Sequence, residues 1–329
     1  MKTTQSAPFS VITSTLSFLQ GGSAQTHNIY DLNRKEERRL LGPRYEGRLI
    51  PMESIEELSA AREEPLIFVR GQSGSAKRFT ELLHSAPKLA QYKLFYFAYD
   101  DLHRSLRRSA LDLAHNLISL RAPRITLLAH SMGGIIAREA LNILARFQLP
   151  ENVPELRVIT IDTPWQGGAL RRSSYKETPL DNLVEAFLPA TASDMRSCSE
   201  FFKNLYATPW PEKFSMELYF AERGEQAYNY SEAPLNKLPQ KIADLFSNNI
   251  PMTGSLLEMH FWNALTSSAQ YPFFVSELAE LQERASLKPE SVRALLEKHF
   301  PRFPGDHSSV LASHPGAKMD LPSYLQQIL

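Results

Sequence analysis

The stretch Ala129-His130-Ser131-Met132-Gly133-Gly134 sets a serine among small residues, between an apolar run ending at Leu128 and an amphipathic run beginning near Met132. A strand-to-helix turn of that kind is so sharp that its neighbouring positions must be small, and it lifts the serine hydroxyl into the open at the strand's carboxyl end. The chemistry implied is nucleophilic attack by Ser131, the bland alternative being an ordinary turn serine. A hydroxyl is a weak nucleophile at neutral pH and needs a base within hydrogen-bond reach, a task that suits the ordinary pKa of histidine. The chain offers nine histidines. His84, His103 and His115 fall on expected helix surfaces, His130 adjoins the serine, and His307 and His314 come after every expected strand. No H-E-x-x-H, C-x-x-C or EF-hand spacing appears, so no metal is expected. A dinucleotide fingerprint and a P-loop are also missing, and no cofactor is expected.

The elements that must hold such a serine read as short β-rich runs alternating with amphipathic segments, the pattern of a parallel sheet covered by helices. Leu66-Ile67-Phe68-Val69 reads as a buried strand, and Phe79, Leu82, Leu83, Ala86 and Leu89 then repeat at helical spacing. Leu94 to Tyr99 is the next strand. Leu106, Ala110, Leu113, Ala114, Leu117 and Leu120 draw a helical stripe closed by Pro123, and Ile125 to Leu128 is a third strand. Ile136, Ala140, Ile143, Leu144 and Phe147 make a helix, Arg157 to Ile161 a fourth strand, and Met216 to Ala221 a fifth. The expected division is a lead-in over residues 1–60 and one domain over 61–329, with insertions at about 166–213, a lid, and 224–300, helical. Trp165, Leu183, Phe187, Phe201, Trp210, Phe261, Trp262, Phe273 and Phe274 put aromatic weight into both excursions, which suits an acyl-binding cleft or a small core beneath a lid equally well.

Composition narrows the partners. The 329 residues are 43% hydrophobic and 22% charged, which is globular, and Lys plus Arg and Asp plus Glu are both 36. Zero net charge gives no footprint for a phosphate backbone, so nucleic acid is not an expected partner. The single cysteine, Cys198, cannot form an internal disulfide. No apolar run reaches the ~18–20 residues of a membrane-spanning helix, while peripheral membrane contact stays open. Residues 9–19 loosely imitate a secretory signal, but Ser10, Thr13, Ser14, Thr15 and Ser17 interrupt the apolar stretch. A retained N-terminal arm and a cytoplasmic location are therefore slightly preferred to secretion.

The motif at Ser131 resembles that of the lipase and esterase branch of the α/β-hydrolases, with Ala129 where G-x-S-x-G has its first glycine. Four further stretches agree in order. Phe68-Val69-Arg70-Gly71-Gln72-Ser73-Gly74-Ser75 resembles the loop after the third sheet strand, with Arg70 where the family commonly has histidine, and is similar to the loop of GPI inositol-deacylase-like proteins. Ile159-Thr160-Ile161-Asp162-Thr163-Pro164-Trp165-Gln166-Gly167 resembles the "GTPHxG" stretch, and Leu188 to Tyr206 the lid-region "TPGSPFLxxL" of bacterial lipases. Gly305-Asp306-His307-Ser308-Ser309-Val310-Leu311 resembles the loop bearing the catalytic histidine.

The resemblance implies an α/β-hydrolase fold, a mostly parallel sheet with helices on both faces and helical lid or cap insertions. It also implies a Ser-acid-His order, which favours His307 over His314 as base. Met132 N–H, at the start of a helix, and Gln72 N–H are the expected oxyanion donors. For the acid, Glu222 ranks first and Glu225 second, both just past the fifth expected strand, with Asp194 and Asp162 behind them. The function implied is cleavage of carboxylic esters, lipids included, through an acyl-enzyme. The alternatives are a thioesterase or amidase with the same nucleophile, or an inactive lipid-binding or interaction module, a reading motivated by Arg70 and by the lack of a clean acid.

Overall fold

A computed structural model of the chain describes residues 15–20, 23–28, 46–51, 64–72, 74–101, 103–146, 154–165, 190–195, 199–207, 214–223, 298 and 300–329. Strands β1 (Thr15–Gln20) and β2 (Ser23–Asn28) pair antiparallel as a separate hairpin. Among the described residues the main sheet has seven strands: β3 (Arg48–Pro51), β4 (Pro65–Val69), β5 (Lys93–Ala98), β6 (Arg124–His130), β7 (Glu155–Ile161), β8 (Phe214–Arg223) and β9 (Arg302–Asp306). Their spatial order is β3-β5-β4-β6-β7-β8-β9. Only the β3–β5 pairing is antiparallel; all other neighbours run parallel.

Every residue of β4 is buried, as expected of a central parallel strand covered on both faces. Its side chains alternate between two cores. Ile67 and Val69 join the cluster with Leu113 of α2 (Leu106–Ser119) and Ile136 of α3 (Met132–Arg146). Leu66 and Phe68 face the other cluster, with Phe79 of α1 (Ala76–Ser85) and the C-terminal helix. The period of two thus puts helices on both faces of the sheet.

Local chemistry moves one boundary from where periodicity puts it and adds two strands that periodicity does not show. The helical spacing through Leu89 is interrupted at Ser85, because Pro87 lacks an N–H and disfavours a helical Ala86. A 3-10 turn, Pro87–Gln91, carries the stripe on. β3 lies in the stretch read as lead-in, and β9 in one read as a loop. Both are edge strands containing proline, Pro51 and Pro304, and an edge is where a sheet tolerates a missing donor.

Within the stretch read as a lid, α4 (Ala190–Asp194) and α5 (Glu200–Ala207) are described. Phe202 and Leu205 of α5 are fully buried in the core that includes α3. Asn142 on α3 donates to Leu205 O at 3.1 Å and to Glu139 Oε2 at 3.1 Å, so a buried polar network pins α5 to α3. The rest of 166–213 and nearly all of 224–300 lie outside the described residues. No described helix is long and apolar enough to cross a membrane.

Candidate active site

Two neighbouring strands end in the same unusual way. β6 stops at His130 and the next residue, Ser131, has φ 55°; β7 stops at Ile161 and Asp162 has φ 46°. His130 and Ile161 are register partners, so Ser131 and Asp162 are the next pair along. Main-chain bonds fix both turns, Ser131 N–H to Ile161 O at 2.9 Å and Asp162 N–H to Tyr219 O at 2.7 Å. A left-handed backbone costs a non-glycine residue roughly 1–3 kcal/mol and persists only where the surroundings enforce it. Ser131 and Asp162 are two of only three such residues among those described.

Glycines make the Ser131 turn compatible with its neighbours. A Cβ on Gly71 would lie 2.5 Å from Ser131 Cβ, and one on Gly133 would strike Val69 O. α3 therefore begins directly against the end of β4. The first N–H groups of a helix have no partner within it, and Met132 is the first residue of α3.

His307 follows β9 and reaches both strand ends. Its Nε2 lies 2.8 Å from Ser131 Oγ and its Nδ1 2.5 Å from Asp162 Oδ2. The acceptor-only carboxylate assigns the proton to Nδ1, which leaves the Nε2 lone pair to accept from the serine hydroxyl. Asp162 is fully buried, and its other oxygen accepts the Ala221 N–H at 3.2 Å. Ser131, Asp162 and His307 thus form a hydrogen-bonded chain running from a fully buried carboxylate to the hydroxyl of Ser131, a residue itself only 6% exposed.

Arg70 has a structural task. Its guanidinium, 1% exposed, pairs with Asp101 at 3.2 Å, donates to Tyr99 O at 2.5 Å and Gly71 O at 3.0 Å, and lies 4.2 Å over the Tyr99 ring. Tyr99 returns a bond from its hydroxyl to Arg70 O at 2.8 Å. The loop after β4 is tied in this way to the end of β5, which holds Gly71 against Ser131 and places Gln72, itself exposed, next in line.

What decides the fold is internal: one antiparallel strand at the edge of a parallel sheet, helices on both faces, and a strand-turn-helix serine with Asp and His following in that chain order. The chain has the α/β-hydrolase fold. No protein-family model matches it, and no curated protein does. Among solved structures it is similar in part to Aspergillus fumigatus lipase B, with 15% identity, a TM-score of 0.35 and coverage of 50% of this chain and 38% of that one. The aligned region thus spans well under two thirds of that lipase. An α/β-hydrolase fold protein from Burkholderia ambifaria is 17% identical, with a TM-score of 0.35 over 62% of this chain and 88% of that one. A monoacylglycerol lipase from Paleococcus ferrophilus is 12% identical, with a TM-score of 0.36 over 52% and 77%.

On this α/β-hydrolase scaffold Ser131 and His307 come together, but the carboxylate on His307 is Asp162 and not Glu222. β8 does not end at Ala221; it continues to Arg223, which pairs with Asp306, so no turn re-aims Glu222 and its side chain is exposed on the strand. Asp194 is engaged elsewhere, accepting the Leu106 N–H at 2.7 Å at the start of α2. Glu225 lies outside the described residues. The offset of Asp162, one residue past its strand as for Ser131, emerges only once β6 is seen to run to His130. His314 donates to Ser309 O at 2.9 Å, close to the His307 loop. Among the described residues no group of three His, Cys, Asp or Glu side chains could hold a metal ion.

Proposed function

We propose that the protein is a serine hydrolase of carboxylic esters, with lipid esters as the favoured substrate class. The single observation that carries this is His307 bridging Ser131 Oγ and the buried Asp162 carboxylate. In this reading Ser131 Oγ attacks the ester carbonyl while His307 Nε2 takes its proton. Asp162 holds the imidazole in the tautomer that can accept that proton and stabilises the imidazolium. The oxyanion is received by the Met132 N–H at the start of α3 and by the Gln72 N–H beside Gly71. His307 returns the proton to the departing alcohol, and water activated by the same imidazole releases the acyl group from Ser131.

Two features favoured a non-catalytic module, and both have another account. Arg70 is a buried anchor for the loop after β4, and the acid is supplied by Asp162 from β7. Hydrolysis of p-nitrophenyl esters from short to long acyl chains, by the wild type and by Ser131→Ala, tests the proposal. The expected outcome is turnover that the variant loses and a fluorophosphonate label confined to Ser131. Turnover that survives in Ser131→Ala overturns it. A long-chain optimum supports lipid esters, and thioester and amide substrates matched in acyl group separate the remaining bond types.

A further inference from the structure

Three consecutive carbonyl oxygens of the loop carrying His307 are each taken by a side chain, two of them from outside the loop. His130, the last residue of β6, brings Nε2 to 2.7 Å from His307 O. Arg78 of α1 donates through Nη1 to Ser308 O. His314 brings Nε2 to 2.9 Å from Ser309 O. The amide side is held as well, since Asp306 Oδ1 accepts the N–H groups of Ser308 at 2.9 Å and Ser309 at 2.8 Å. Carbonyls only accept, so His130 and His314 both carry a proton on Nε2. A loop is ordinarily the more mobile part of a fold, yet two carbonyls of this one are claimed by side chains of a strand and a helix.

The His130 contact closes a circuit. His130 and Ser131 are consecutive residues; the side chain of the first binds the backbone of His307, and the side chain of the second binds its imidazole. A shift of the β6 tip therefore carries nucleophile and base together. The two rings stand 4.9 Å apart. Burial, reinforced by the neighbouring His307, holds the His130 pKa at about 3, so the ring supplies its N–H as a neutral imidazole.

We propose that His130 and Arg78 are positioning residues that hold the His307 backbone from two fixed elements and so set the distance from its Nε2 to Ser131 Oγ. The proposal rests on the hydrolase reading above. It is tested with His130→Phe, which keeps a ring and loses the donor, and His130→Gln, whose amide N–H can reach the same carbonyl. Arg78→Met and Arg78→Lys make the corresponding pair on α1. Two quantities are read: amide hydrogen exchange of segment 305–310, and kcat and KM on a p-nitrophenyl ester.

His130→Phe is expected to speed exchange in that segment and to lower kcat about 10- to 100-fold with KM little changed, the signature of a misplaced base. His130→Gln should recover most of both, and Arg78→Lys should recover what Arg78→Met loses. Should His130→Phe fail to fold by circular dichroism, the Arg78 pair decides alone. Exchange and kcat that stay at wild-type values in folded variants overturn the proposal, as does a rise in KM at constant kcat. A wild type that neither hydrolyses esters nor takes a fluorophosphonate at Ser131 overturns the hydrolase reading. The exchange data then still decide whether these side chains hold the loop, and unchanged exchange rejects that role whatever the activity.

Discussion

Asp162 does at the end of β7 what Ser131 does at the end of β6: a single left-handed residue turns the chain and leaves its side chain at the carboxyl edge of the sheet. Replacing that carboxylate with an amide keeps its size while removing the charge that fixes the His307 tautomer. Asp162→Asn is therefore expected to lower kcat roughly 10³- to 10⁴-fold in a folded protein, whereas Glu222→Gln stays within about twofold. Steady-state kinetics on one ester, run side by side, check both, and the reverse ranking would return the acid to β8. The pairing of Ser131 with His307 was legible at this scale because each stands in a distinctive local setting, small residues around Ser131 and a post-strand loop around His307. The carboxylate partner of His307 was harder, because a lone aspartate before Thr163-Pro164 has no such setting. Its identity depends on register between strands, and pairing is not written in either strand alone.

At the scale of elements, the site exists because α3 starts almost in contact with β4 and β7. A methyl on Gly133 would meet Val69 O, and one on Gly134 would meet Thr163 Oγ1. Gly133→Ala should push α3 away from the sheet, costing about 1–3 kcal/mol in a urea melt, an overpacking penalty, and lowering kcat through displacement of the Met132 N–H. Unchanged stability would mean that the helix start can yield. The C-terminal helix, α6 (Leu321–Ile328), depends on a different device. Asp320 caps it, accepting the Ser323 N–H at 2.9 Å, and also takes the His314 N–H at 2.9 Å and the Ser313 hydroxyl at 3.0 Å. Burial pushes this carboxyl up, but these hydrogen bonds together outweigh it and hold the pKa at about 2, below the ordinary 3.8. A depressed carboxylate stabilises the fold above its unfolded pKa and loses that contribution as pH falls through the folded one. Asp320→Ala should accordingly cost about 1–2 kcal/mol near neutral pH and progressively less from about pH 4 down to pH 2. Denaturant melts of the two proteins across that window measure the difference. Periodicity located the central helices and strands of the sheet because their burial imposes it. β3 and β9 escaped because edge strands are short, contain proline and need bury only part of their surface.

For the molecule as a whole, the question is how the excursions from the sheet relate to the core. Residues 166–213 read as a lid in sequence, since aromatic side chains outside a sheet fit a mobile cap and a packed layer equally. The described part of that stretch is packed. Phe202 and Leu205 are fully buried in the core that contains Ile136 and Leu113, and Thr191 donates to Asp101 O at 2.5 Å, beside the Arg70–Asp101 pair. Removing a buried phenyl ring leaves a cavity that costs about 3–5 kcal/mol, whereas an aromatic residue on a freely opening lid costs far less. Phe202→Ala is therefore expected to lower unfolding free energy by about 3–5 kcal/mol in a single cooperative transition shared by near-UV circular dichroism and tryptophan fluorescence. A loss below about 1 kcal/mol, or a separate early transition, would show that α5 can leave the sheet without unfolding it. The same substitution also bears on the site, because α5 rests on α3 through Asn142, and α3 begins immediately after Ser131. If the layer is part of the core, kcat should fall only where the protein begins to unfold, so activity and stability curves in urea coincide. If α5 is a gate, activity changes at denaturant concentrations where the fold is intact.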